Sequence, residues 1–583
     1  MEQGGIDMQR KLVVLVWVSM LTLAGCGGSA KQPMAQSAPA APAPPAPDQH
    51  VMAHVPGTVA DWAKGAQLFD GLGNFHRKAT TESAEAQQYF DQGMRFLWAF
   101  NHDEATRSFA KATELDPQCA ICYWGVALAV GPNYNVPMMA APRARVAAAA
   151  LQGARQNSSH TTPVEHALIG ALAKRYPSAQ PLDPGNLTPV LIDYAQAMKD
   201  IATAYPADLD VQTLYAESLM NVHAWKLWLP DGKPEEGTEE ILATLESVLK
   251  RDPRHPGANH YYVHAMEASP HPEKAVAAAE RLRDMMPAAG HLVHMPAHIM
   301  QRVGRYEDAA EANRKGASAD VAYYAKATPP DYYSMYTAHN YQFLAFSAAM
   351  EGRQAETLDA VKKMRAAVSD ELILAMPGFD WPLTEEYSAN VRFGLWDEMI
   401  AMPAPSAKMP AATGGYLYGR GVALAAKGRI DEAIATLARL QHLRESTPAE
   451  APAGFNTARD LLDLAIDILK ARIADADQRP DDAVKLLRDA VAREDKLSYD
   501  EPSDWFFPAR HLLGAQLLKA GKAADAETVY REDLKRNPEN GWALYGLAAA
   551  LRAEHKNADA AGVEKRYLAA WKRSDATLTA SAF

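Results

Sequence analysis

Cysteine is nearly absent: three residues in 583, of which only Cys119 and Cys122 lie close together. Four thiolates for a structural zinc site are therefore missing. There is no run of five or more basic residues, and the formal net charge is -12, so a nucleic-acid partner is not expected. Alternating Val, Ile and Thr runs of the strand type are scarce, whereas alanine and leucine abound, which favours helix. No P-loop, dinucleotide fingerprint or serine nucleophile elbow stands out; neither GGYLYGRG nor GRGVA follows a convincing strand. The one long apolar run, LVVLVWVSMLTLAG before Cys26, is too short to span a bilayer comfortably.

That run has a cationic start at Arg10 and Lys11, as in a secretory signal, with Met8 an alternative first residue. Leu23-Ala24-Gly25-Cys26 resembles a bacterial lipobox. The resemblance implies cleavage after residue 25 and lipidation of Cys26, which anchors the chain to the membrane. Gly27, rather than Asp, then points to the periplasmic face of the outer membrane. Residues 26–60 are rich in Ala, Pro, Ser and Gln and read as a disordered tether.

A chain this long forms several domains or one repeat array. The turn signal in NHDEA (101–105) recurs in VGRYEDA (303–309), FGLWDEM (393–399), KGRIDEA (427–433) and AGKAADA (520–526). Leu115-Asp116-Pro117, Arg251-Asp252-Pro253 and Arg536-Asn537-Pro538 repeat a helix exit. These segments resemble tetratricopeptide repeats (TPRs), units of ~34 residues made of two helices. The expected fold is all-α over residues 61–575: a TPR-type helical-hairpin solenoid, a right-handed superhelix, with irregular insertions near 133–205, 225–236 and 323–337. Residues 576–583 read as a flexible tail.

Seven of the 18 histidines fall between 255 and 298. With Ala275 and Ala309 at repeat position 20, two units start at Pro256 and Gly290, and 290 minus 256 is 34, one repeat length. His260, His264 and Glu267 then take positions 5, 9 and 12, and His291, His294 and His298 take 2, 5 and 9. Spacings of i, i+4 and i+7 share one helix face. His260 is expected abreast of His294 and His264 of His298, close enough for facing imidazoles to share one ion. His339, at position 2 of the next unit, is a further candidate ligand. Pro296 suggests that its helix starts near His294, leaving His291 in the preceding loop. His255 and His271, each beside a proline, read as solvent-facing caps.

Neutral imidazoles with a carboxylate suit zinc, copper or iron. His260-x-x-x-His264 has the spacing of helix-borne zinc ligands, but Tyr261 stands where metalloproteases carry their glutamate. Glu267 is a candidate ligand or a candidate base toward bound water. Cys119 and Cys122 are a candidate disulfide or redox pair. Two other readings remain open: an interaction scaffold holding a protein or peptide in its groove, and a metal-dependent hydrolase or oxidoreductase.

Over most of its mature length the chain resembles a family of bacterial TPR lipoproteins to which no activity is assigned. The resemblance is carried by Asn259-His260-Tyr261-Tyr262 with His264 and Glu267, by Gly290-His291-Leu292 with His294-Met295-Pro296 and His298, by WGVALAVGPN (124–133), and by Tyr499-Asp500-Glu501-Pro502 before Trp505. It implies the fold and no chemistry.

Overall fold

The computed structural model describes residues 55–583 apart from 179–181, 183–186, 328, 330 and 377. The segments that read as a signal and most of a tether, with Cys26, lie outside the described residues. Those described form 27 α-helices and one two-stranded ribbon, Pro452–Ala453 with Asn456–Thr457. Most helices pack on a sequence neighbour, and first helices of successive hairpins pack on one another, as in Ala84–Trp98 with Ala120–Ala129 and Gly541–Ala553 with Ala509–Lys519. This is an all-α helical-repeat array.

The recurring turn has one mechanism. Gly304, Gly352, Gly394, Gly428 and Gly521 all have φ near +70°. In each turn the next residue's N–H donates to the carbonyl five back, as Arg305 does to Met300 at 2.8 Å and Lys522 to Leu517 at 2.8 Å. A left-handed residue closing a six-residue bond ends a helix and reverses the chain. Phe100, Gln478 and His555 adopt the same left-handed conformation at this position, with the same bond.

Two expectations change. The stretch 133–205 is mostly regular, carrying helices Ala141–Gln156, Pro163–Arg175 and Thr188–Ala204, because its apolar residues keep helical spacing. The expected flexible tail packs down: Ser581 is buried and donates to the His511 carbonyl at 2.8 Å, and Phe583 meets the Trp542 ring edge-on. The 225–236 insertion is a tight corner, pinned by a bridge between Trp228 and Pro234.

Two apolar cores run through the array, one from Trp62 to Phe343 and one from Ala310 to Leu578. Helix Ser334–Met350 serves both, with Phe343 in the first and Leu344 in the second. Among the described residues no helix is long and apolar enough to cross a membrane.

Candidate metal centre

Helix Pro256–Glu267 is buried along its whole length. Its approach to helix Ala84–Trp98 needs Gly257, where an added Cβ would lie 2.4 Å from the Trp98 ring. That proximity puts the Trp98 carbonyl 2.5 Å from His260 Nδ1. A carbonyl only accepts, so Nδ1 carries the proton and Nε2 is left with its lone pair. The same logic fixes His294, whose Nδ1 is 2.6 Å from Asn313 Oδ1. Asn313 donates its other end to the Ala309 carbonyl at 2.7 Å, which settles the amide's orientation. His264 Nδ1 lies 3.1 Å from Glu267 Oε1, and His264 Nε2 is buried without a partner.

The segment around Pro296 differs from expectation. Helix Gly290–His294 includes His291, which is buried, and Met295 keeps α-helical angles into helix Pro296–Arg302. Pro296 removes one backbone donor close to the helix start without breaking the path. His255 is also corrected. It does cap its helix, accepting from Ala258 N at 3.1 Å, but it is buried, with Nε2 3.0 Å from Asp210 of an earlier repeat. His271 is exposed as expected.

The six sequence candidates and His339 lie together, but grouped differently from the register. His260, His264 and His291 form one set, and His294, His298 and His339 another, each with ligand atoms within 4.8 Å of one another. A third set joins Glu267, His298 and Glu501. His260 Nε2 and His291 Nε2 are 3.3 Å apart, and His294 Nε2 and His298 Nε2 2.6 Å. The expected partners across units, His264 and His298, have ring centroids 6.0 Å apart. Across the two units His260 therefore faces His291, one turn before the His294 expected opposite it.

Glu501 went unassigned in the sequence. It arrives from the loop before helix Ala509–Lys519, is buried, and touches His298 Nδ1. Glu267 Oε2 is 2.8 Å from the same nitrogen, without hydrogen-bond alignment. Burial raises the Glu267 carboxyl, but His264 and His298 outweigh it and hold it well below the carboxylate range. Burial, then the neighbouring Glu267 charge, pushes Glu501 well up. Burial lowers His260, His291, His294 and His298, and takes His339 down to about 3. Burial thus favours the neutral form of these five rings, the form that binds transition ions.

A cleft of about 310 Å³, solvent included, reaches His264 and Glu267 between Tyr134, Trp225, Phe455 and Tyr499. Trp225 has a left-handed backbone, φ 62°, and stacks on Tyr134 at 5.2 Å. Of the inserted tyrosines, Tyr336 meets His291 at 5.0 Å, while Tyr323 and Tyr333 pack on each other. Cys119 and Cys122 are joined in a buried disulfide at the start of helix Ala120–Ala129.

No family model matches the chain, and no curated protein matches it in sequence. Solved structures of helical-repeat proteins do match. Human IFIT1, as a dimer with m7Gppp-AAAA, is 11% identical over 77% of this chain and 90% of its own, with a TM-score of 0.31. The Cut9–Hcn1 hetero-tetramer of APC/C is 14% identical over 80% and 96%, with a TM-score of 0.27. The helical-repeat assignment rests on this chain's own hairpins, and nothing those proteins bind is carried over.

Proposed function

We propose that this helical-repeat protein is a transition-metal-binding lipoprotein whose array encloses a histidine centre. The observation that carries the reading is the His260, His264 and His291 set. His260 Nε2 and His291 Nε2 stand 3.3 Å apart, and His264 Nε2 is a buried atom with no partner. Two nitrogens each at ~2.0–2.1 Å from a tetrahedral ion are separated by about 3.3–3.4 Å. A buried imidazole nitrogen left unpaired costs about 1–3 kcal/mol, so the set needs an additional partner. Glu267, paired with His264 Nδ1, orients that ring as carboxylates behind metal-bound histidines do. Its depressed basicity suits this role better than that of a general base. The histidines are too buried to serve as contacts for a peptide lying in the groove.

Elemental analysis of protein purified without an affinity tag tests the reading. At least one zinc, copper or iron per chain is expected, retained through the ordinary imidazole range and lost only on stronger acidification, because burial lowers the ligand imidazoles. Metal-free protein that takes up none of these ions would overturn it. The proposed anchor at Cys26 is checked separately: Cys26→Ala should move the protein from the membrane to the soluble fraction.

A further inference from the structure

Resting on that reading, we infer that the centre holds two ions of an imidazole-preferring transition metal, one on His260, His264 and His291 and a second on His294, His298 and His339, with Glu267 between them.

Second partners of the rings separate two sets. Four of the six have Nδ1 hydrogen-bonded away from their own triad: His260 by the Trp98 carbonyl, His264 by Glu267, His294 by Asn313, and His339 by Gln342 at 3.3 Å; His298 Nδ1 lies against Glu267 and Glu501 without hydrogen-bond alignment. Gln342 gives its amide N–H to Glu385 at 2.7 Å, so its oxygen is the end that faces His339. With these Nδ1 atoms taken, the Nε2 lone pairs are the ligands each triad offers. His291 Nδ1 is buried with no group against it that could accept its proton.

His298 shows why the second triad needs a cation of its own. Its Nε2 stands 2.6 Å from the bare Nε2 of His294, while its Nδ1 faces two carboxyl groups. A neutral ring has one proton and can satisfy only one side. An ion shared by His294, His298 and His339 on the Nε2 side leaves the single proton on Nδ1, toward Glu267. Glu267 then serves both triads, Oε1 toward His264 and Oε2 toward His298.

Packing gives an independent sign of two centres. Phe100 touches the three rings of the first set, at 4.5, 5.4 and 5.8 Å. Phe343 touches the three rings of the second, at 4.9, 4.5 and 4.9 Å. Each triad therefore has its own apolar wall, which excludes water and fixes ring orientation. Imidazole nitrogen without thiolate favours copper, zinc, nickel or cobalt.

The test is metal stoichiometry of the full-length untagged protein, loaded with Zn²⁺ or Co²⁺ and freed of excess. Wild type should retain two ions per chain. His339→Ala and His260→Ala should each retain one, and Glu267→Gln should weaken both. A Co²⁺ titration of wild type read by visible absorption should end at two equivalents, which keeps the proposal testable if a variant fails to fold. One ion in wild type, whether or not His339→Ala removes it, would overturn the second centre and leave the proposed function standing. No ion in wild type would overturn both.

Discussion

Phe100 shows how one residue ties the repeat turn to the site. Its φ of 55° is the left-handed conformation that other turns give to glycine. For a bulky L-residue this costs about 1–2 kcal/mol. Such strain, where observed, marks positions held for another purpose, and here the ring packs on His102, His260, His264 and His291. Phe100→Ala should lose about 3–5 kcal/mol, from the emptied ring volume with the backbone still strained. Phe100→Gly should be the more stable of the two by about 1 kcal/mol, since only the strain is relieved. Denaturant midpoints for the pair decide this, and equal midpoints would refute the strain argument. At this scale the histidines were legible because their spacing and the 34-residue register fix one face. Glu501 was not, because it arrives from 501 minus 298, or 203, residues away on a loop with no periodicity. The tautomers were also out of reach, since they depend on the Trp98 carbonyl and the Asn313 amide, neither marked by pattern.

Between elements, the close approach of helix Pro256–Glu267 to helix Ala84–Trp98 sets the geometry of the first triad. Gly257→Ala would place a methyl 2.4 Å from a Trp98 ring atom, so one helix must shift. Overpacking of this kind costs about 1–3 kcal/mol. The shift also draws the Trp98 carbonyl away from His260 Nδ1, freeing that ring to rotate. Gly257→Ala should therefore lower the unfolding midpoint and weaken metal retention together, whereas Gly170→Ala, in an exposed helix interior with open space around its Cβ, should raise the midpoint slightly, by about 0.5–1 kcal/mol, and leave retention unchanged. Retention unchanged in a destabilised Gly257→Ala protein would show that this contact supports the fold alone. The hairpins and their turns were readable because each repeats one device, a left-handed residue followed by an acidic first turn. The helix through Pro296 was misread because a proline near a helix start removes a bond without ending the path.

Across the whole molecule the array returns upon itself, and the site lies where its two cores meet. Trp542 Nε1 donates to the Ala349 carbonyl at 2.8 Å, 193 residues away, and Asp575 receives the N–H groups of Gln354 and Ala355. No local pattern announces such closures, which is why the tail read as free. The seam helix Ser334–Met350 carries His339 and Phe343 into the site and leans on Glu385 of the second core through Gln342. Glu385 is buried with one carboxyl oxygen unpartnered, and desolvation raises it to about 8. The folded state therefore keeps a proton that the unfolded chain releases above about pH 4.3. Stability contributed by this group is full below that pH and is lost as pH rises toward 8, by about 1.4 kcal/mol per pH unit at most. Glu385→Gln keeps the carbonyl that accepts from Gln342 and cannot ionise. Its stability relative to wild type should grow steadily from pH 5 to pH 8 in parallel denaturation curves. Curves that stay a constant distance apart over that range would mean that Glu385 is already ionised in the fold, with a positive partner reaching it across the seam.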